Sequence, residues 1–383
     1  MVAEEVSEAE ETERRTSYLE LFFDLVFVFA ITQVTAQILE DMSPVGFARS
    51  ALMLGLIWWA WSSYTWMTNA VGTETFAARL LILGGAGGSF VMALAVPHAY
   101  LEQGAWFGVP YGAVRLLNVA LYLWGLRNDP AQLAAIRKLA PWFLVAPAVA
   151  VAGGFVDDPA RTWLWAASLA IDVVGTLTVG AAGFRVSASH FAERYALFVI
   201  IALGESIVAV GAGASNLHRD AAFALTVALA FVGVAALWWA YFDFTVHAAE
   251  RSLQAAPPER RGPFARDVFT FFHYPIVLGI IFCAVGAKKT LAHPEVPLSQ
   301  AARVALGLGV AVYLAGFVLT RYRAAGLIAW ERLAGGAAAL AAALLLDETR
   351  AVALLAIVVA ILVATIAAET MRLRELRARM RPS

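Results

Sequence analysis

The chain has 383 residues, of which 61% are hydrophobic and 15% charged, and its formal net charge is −1. A soluble domain is nearer half apolar and a quarter charged, and surface-to-volume scaling leaves a soluble chain of this length no way to bury so large an excess. A water-soluble enzyme, a disordered chain and a nucleic-acid-binding protein are therefore excluded. Cys283 is the one cysteine, so there is no intrachain disulfide and no cysteine-based metal site. The composition is that of an all-α polytopic membrane protein.

Residues 1–17 form an acidic leader, dense in Glu between Glu4 and Glu13, which reads as disordered and unlike a basic secretory signal. Crossing a hydrocarbon core of about 30 Å takes about 20 apolar residues in a helix. Twelve such stretches follow: 18–39, 47–69, 76–97, 106–126, 139–156 and 163–183, then 191–212, 221–247, 267–287, 301–320, 327–346 and 352–369. The fifth is short and carries Pro141 and Pro147, and Pro275 predicts a kink in the ninth. Residues 371–383 form a basic tail suited to anionic lipid headgroups, or to a plain stop-transfer anchor.

Basic residues resist translocation. With the N-terminus inside, 20 of the 28 Lys and Arg, Arg194 and Arg332 among them, fall on the cytoplasmic side and seven outside. Both termini are therefore expected in the cytoplasm.

The chain also reads as two parallel six-helix repeats, 18–185 and 186–370. Trp58-Trp59-Ala60-Trp61 matches Trp238-Trp239-Ala240-Tyr241, and Ala120-Leu121-Tyr122 matches Ala311-Val312-Tyr313. Asp157 pairs with Asp347, and Glu20 with Glu193, at offsets between 173 and 191. Parallel repeats occur in transporters, with a site between the halves.

Charged groups inside hydrocarbon cost about 2.5–3.5 kcal/mol each and point to function by default. Glu205 and Ser206 in the seventh span, and Asp24 in the first, are the leading candidates for a substrate or ion path. Glu20 shares a helix face with Asp24 but lies near the helix start, where an interfacial acid needs no special role. Arg115 and Asn118 share a face of the fourth span. A buried guanidinium needs an acid, and Asp24, Asp172 and Glu205 all qualify; an internal ion pair is favoured over an anion site. Asp172, Asp243 and His273 are weaker path candidates. The tryptophans at 58, 59, 61 and 66 suit packing or an interfacial belt better than a ligand cage. His98, His218 and His293 are scattered, and nothing in their spacing makes a metal site. Zinc-protease and phosphate-loop motifs are absent, and no cofactor is expected.

Glu20-Leu21-Phe22-Phe23-Asp24-Leu25-Val26-Phe27-Val28 resembles the opening motif of the bacterial low temperature requirement protein A family. Glu193-Arg194-Tyr195 with Leu203-Gly204-Glu205-Ser206-Ile207 is similar to its second hallmark, and His273-Tyr274-Pro275-Ile276-Val277-Leu278-Gly279 to a third. The resemblance implies a multi-pass bacterial membrane protein of a family named for growth in the cold. A weaker likeness, to the endolysosomal potassium channel family, is architectural: its Phe-Ser-Asp triplet would fall on Phe22-Phe23-Asp24, without the serine.

The leading functional expectation is a transporter or ion-conducting protein with its buried acids between two pseudo-symmetric halves. A membrane-embedded enzyme acting on lipid or isoprenoid is the second reading, and a structural or stress-adaptation protein the third. Expected partners are membrane lipids and a small molecule or ion, not nucleic acid; a homo-oligomer is compatible with all three.

Overall fold

The computed structural model describes residues 16–181, 183–214 and 220–374. Residues 1–15 of the acidic leader, His218 and most of the basic tail lie outside the described residues. Among the described residues every regular element is helical, apart from one isolated bridge between Pro297 and Arg350.

In chain order the α-helices are α1 (Tyr18–Glu40), α2 (Pro44–Ala70), α3 (Phe76–Ala95), α4 (Gly104–Gly125), α5 (Pro130–Gly154) and α6 (Ala160–Val179). They continue as α7 (Ala188–Ala214), α8 (Ala221–Phe242), α9 (Thr245–Gln254), α10 (Pro258–Ala265), α11 (His273–Ala292), α12 (Gln300–Ala325), α13 (Trp330–Leu345) and α14 (Ala351–Arg372). Several starts are written locally. The side chains of Thr75, Asp129, Asp220 and Ser299 accept the backbone N–H three residues on and so cap α3, α5, α8 and α12. Gly326, at φ +67°, closes α12 in the left-handed conformation.

Each of the twelve apolar stretches coincides with a helix, but only nine helices among the described residues are both long and apolar enough to span a membrane. The other three are α2, α4 and α13. Helix α13 has 16 residues, about 24 Å of rise. Helix α2 has 27 residues, yet it carries Ser50, Ser62, Thr65, Thr68 and Asn69 on buried positions. Protein rather than lipid surrounds it, so a lipid-transfer scale underrates it.

Two other expectations change. The fifth stretch is a 25-residue helix running through both Pro141 and Pro147, as neighbouring helices permit inside a membrane protein. Near Pro275 the ninth stretch widens rather than simply kinks. A π-helical segment, Arg266–Phe271, precedes α11, with the Phe272 N–H bonded to the Asp267 carbonyl five residues back at 3.0 Å. Proline supplies no N–H to the preceding turn, and a π turn redistributes those carbonyls.

The chain folds into two compact units. The first comprises the described residues to Gln37, with Gly46–Arg194 and Leu253–Arg266; the second comprises Ile38–Val45, Tyr195–Ser252 and the described residues from Asp267. In the first, α3, α4, α5 and α6 pack in succession; in the second, α11 packs on α12, α12 on α13, α13 on α14, and α14 on α8. The crossing of α11 and α12 in the second unit is backbone on backbone. A Cβ placed on Gly279 of α11 would lie 2.5 Å from the Tyr313 nitrogen of α12, and one on Gly309 of α12 would lie 2.7 Å from the Cys283 nitrogen.

Candidate functional site

In the first unit, α1 and α7 each present charged residues four apart, which puts them on one helix face. Glu20 and Asp24 on α1 meet His190 and Arg194 on α7. The Arg194 Nη2 donates to Asp24 Oδ1 at 2.7 Å, and its Nη1 lies 3.1 Å from Glu20 Oε1. That same Glu20 oxygen is 2.9 Å from His190 Nε2. The indole N–H of Trp61, on α2, donates to Asp24 Oδ1 at 2.7 Å. All five side chains are buried. Asp24 and Arg194 each sit six residues inside their helix, about 9 Å from its start.

This ladder connects to the helix start. Glu20 Oε2 accepts from both Ser17 N and Ser17 Oγ at 2.8 Å, while Ser17 Oγ accepts from Glu20 N at 3.3 Å, a reciprocal capping box. Beyond it, exposed Glu193 accepts from the Thr16 N–H. The charges inside do not balance: two carboxylates face one guanidinium, and one further proton, on His190 or on a carboxylate, makes up the difference. Asp24 Oδ2 and His190 Nδ1 are buried without hydrogen-bond partners.

A second charged group in this unit is balanced in charge, with Arg115 Nε its one buried atom without a hydrogen-bond partner among the described residues. Arg115 of α4 grips Asp172 of α6 with both terminal nitrogens, at 2.6 and 2.9 Å. Its Nη1 also donates to the Tyr111 hydroxyl, its plane lies against the Phe143 ring, and Trp59 adds a hydrogen bond to Asp172. One cation meets one anion, 1% and 0% exposed, near the middle of their helices. Of the three acids left open by sequence, Asp172 is thus the partner of Arg115. Asn118 ties α4 to α2 by donating to the Ser63 carbonyl at 3.0 Å.

The remaining candidates fall in the second unit. Glu205 is buried on α7. Ser206 bonds back to the Ala202 carbonyl and is the one polar side chain lining a cavity of about 40 Å³ among Val210, Leu237, Cys283 and Leu306. His273 is buried with both ring nitrogens engaged: Nδ1 is 2.8 Å from the Val268 carbonyl and Nε2 is 2.8 Å from the Tyr241 hydroxyl. A carbonyl only accepts, so Nδ1 carries the proton and Nε2 accepts from Tyr241. Asp243 caps the end of α8 and is half-buried.

Sequence reasoning missed five buried charged residues, one of them Arg161, which donates to the Val156 and Ala99 carbonyls. Arg194 and Arg332 count as surface cations in the orientation argument, yet each is 3% exposed or less. His190 and Glu369 were not singled out; Glu369 holds Arg332 at 2.8 Å. The missed signal was the repeated spacing of four, Glu20 to Asp24 and His190 to Arg194.

Long apolar helices that share buried, ion-paired charges define a multi-pass helical membrane protein. Residues 15–367 match the family described as bacterial low temperature requirement A protein (LtrA), and the chain belongs to that family. It is similar to the Rhizobium meliloti (strain 1021) protein named "Uncharacterized protein RA0937", with 34% identity over 292 residues, covering 73% of this chain and 70% of that protein.

Proposed function

We propose that this chain is a proton-dependent transporter of the bacterial plasma membrane, with the Glu20–His190–Arg194–Asp24 ladder as its proton-binding site. The observation that carries the reading is the charge imbalance of the ladder. A fixed network would be expected to close like Arg115 and Asp172, whereas this one holds an imidazole beside an excess carboxylate and continues to exposed Glu193. His190 Nε2 and Glu20 Oε1 stand 2.9 Å apart, close enough to share one proton while the Arg194–Asp24 contact stays in place. Glu205 is a second buried acid suited to proton exchange, with Ser206 beside it.

In this reading all twelve long helices cross the bilayer as two parallel repeats, and both termini are cytoplasmic, which puts Glu20 on the cytoplasmic side. The 20-to-7 bias of basic residues supports the orientation. The repeat is supported by Trp61 and Tyr241, matched in sequence and both fully buried with a polar tip bonded to a titratable side chain. Asp172, Arg115, Asn118 and His273 serve packing in this scheme.

The test is proton flux into liposomes holding the purified protein after an acid pulse. Flux should fall strongly in Asp24→Asn and Glu20→Gln at equal protein incorporation. A purely structural role, the reading that Arg115–Asp172 favours for its own region, predicts lower abundance in those variants with no proton flux in any of them, wild type included.

A further inference from the structure

We propose that the second unit carries a phosphate-binding site for the headgroup of an anionic glycerophospholipid, at Arg321 beside the Arg332–Glu369 pair. The end of α12, the start of α13 and the end of α14 come together there. Arg332 closes on Glu369 through Nε at 3.0 and 3.1 Å and through Nη2 at 2.8 Å. Nη2 also reaches the Ala240 carbonyl, and the guanidinium lies 4.1 Å from the centre of the Phe317 ring. The charge of Glu369 is thereby committed to Arg332.

Among the described residues Arg321 has only that same carboxylate, at 3.7 Å, and its Nη1 has no hydrogen-bond partner. Arg332 Nη1 is likewise buried without an acceptor. On the same edge Arg372 pairs with Glu331 at 2.5 Å. Among the described residues, Arg321, Arg332 and Arg372 thus share two carboxylates, Glu369 and Glu331. Tyr322 and Trp330, beside Arg321 and Arg332 in sequence, are about three-fifths exposed, as amphipathic rings are at the level of lipid headgroups. An excess of guanidinium at that level, with donors lacking acceptors, matches a phosphodiester, whose oxygens accept several N–H groups at once.

The full-length protein in phosphatidylcholine nanodiscs, with and without phosphatidylglycerol, tests this by native mass spectrometry of bound lipid. Phosphatidylglycerol should be retained in preference to phosphatidylcholine. Arg321→Gln should weaken that retention about five-fold, the ~1 kcal/mol that one basic residue contributes at an anionic surface, and Arg321→Lys should keep most of it. Arg350→Gln, at the other end of α14, should leave it unchanged. Should Arg321→Gln fail to fold, Arg372→Gln on the outer edge should weaken retention in the same direction. Equal retention by wild type and the Arg321→Gln or Arg372→Gln variant overturns the site. Inorganic phosphate displacing phosphatidylglycerol at millimolar concentration overturns the lipid as its natural occupant.

Discussion

Trp59 and Trp61 stand two residues apart on α2 and donate their indole N–H groups to different aspartates, Trp59 to Asp172 and Trp61 to Asp24. Two residues of α-helix turn about 200° and rise about 3 Å. Helix α2 therefore holds one charged group on each side, at nearly one level. A hydrogen bond to a charged group is worth about 1.5–3 kcal/mol. Trp59→Phe and Trp61→Phe should each lower stability by about that much while keeping an aromatic ring in place. Because the two sites share no partner, the double variant should lose the sum to within about 0.5 kcal/mol. Thermal melting in detergent measures this, and a large deviation from additivity would mean that the two groups form one network.

Arg115 and Asp172 give a sharper contrast between breaking a pair and replacing it. Asp172→Asn leaves a guanidinium buried against a neutral amide and should cost about 3–5 kcal/mol. Removing both charges, as Arg115→Met with Asp172→Leu, should recover most of that loss, since desolvation of the pair disappears with it. Folded yield and melting temperature report the difference. Proton flux per incorporated molecule should be unchanged in the double variant, and a loss of flux there would take Arg115 and Asp172 out of packing and into the path.

The acids were legible in the sequence because a carboxylate inside twenty apolar residues has no innocent neighbour; that argument found Asp24, Glu205 and Asp172. It could not find Arg194 and Arg332, since each lies within a few residues of a helix start, where a long cation is ordinarily read as reaching water. Their burial depends on which helices flank them, and hydropathy carries no such information. Helix α2 shows the same gap from the other side. Its serines, threonines and tryptophans dilute the apolar signal because other helices, not lipid, supply their partners. The family motifs partly filled the gap: two of them contain Asp24 and Arg194, which the fold joins at 2.7 Å.

His190 supplies the one titratable cation of the ladder, so its replacement should change the pH dependence of transport more than its size. In wild type the imidazole stands 2.9 Å from the excess carboxylate and can hold a proton between them. His190→Gln keeps a hydrogen-bonding side chain but removes that step. Flux measured over a pH series should depend less on pH in this variant than in wild type, while Asp24→Asn should reduce flux at every pH. An unchanged profile in His190→Gln would remove the imidazole from proton binding.

The crossing of α11 and α12 offers a prediction that depends on backbone alone. A Cβ at Gly279 would meet the Tyr313 nitrogen at 2.5 Å and the Gly309 carbonyl at 2.6 Å, and neither atom can rotate away. Gly279→Ala should therefore force the helices apart and cost about 1–3 kcal/mol, despite the better helix propensity of alanine. Gly84 on α3 is the control, because its added Cβ would lie 3.7 Å from the Leu117 side chain, an ordinary contact. There Gly→Ala should be neutral or stabilising by up to about 1 kcal/mol. Gly309→Ala alone should resemble Gly279→Ala, but the pair should cost less than the sum, since helices already separated by one methyl have room for the second. Melting temperatures of the four variants decide the matter, and a Gly279→Ala protein as stable as wild type would show that this crossing is looser than its geometry states.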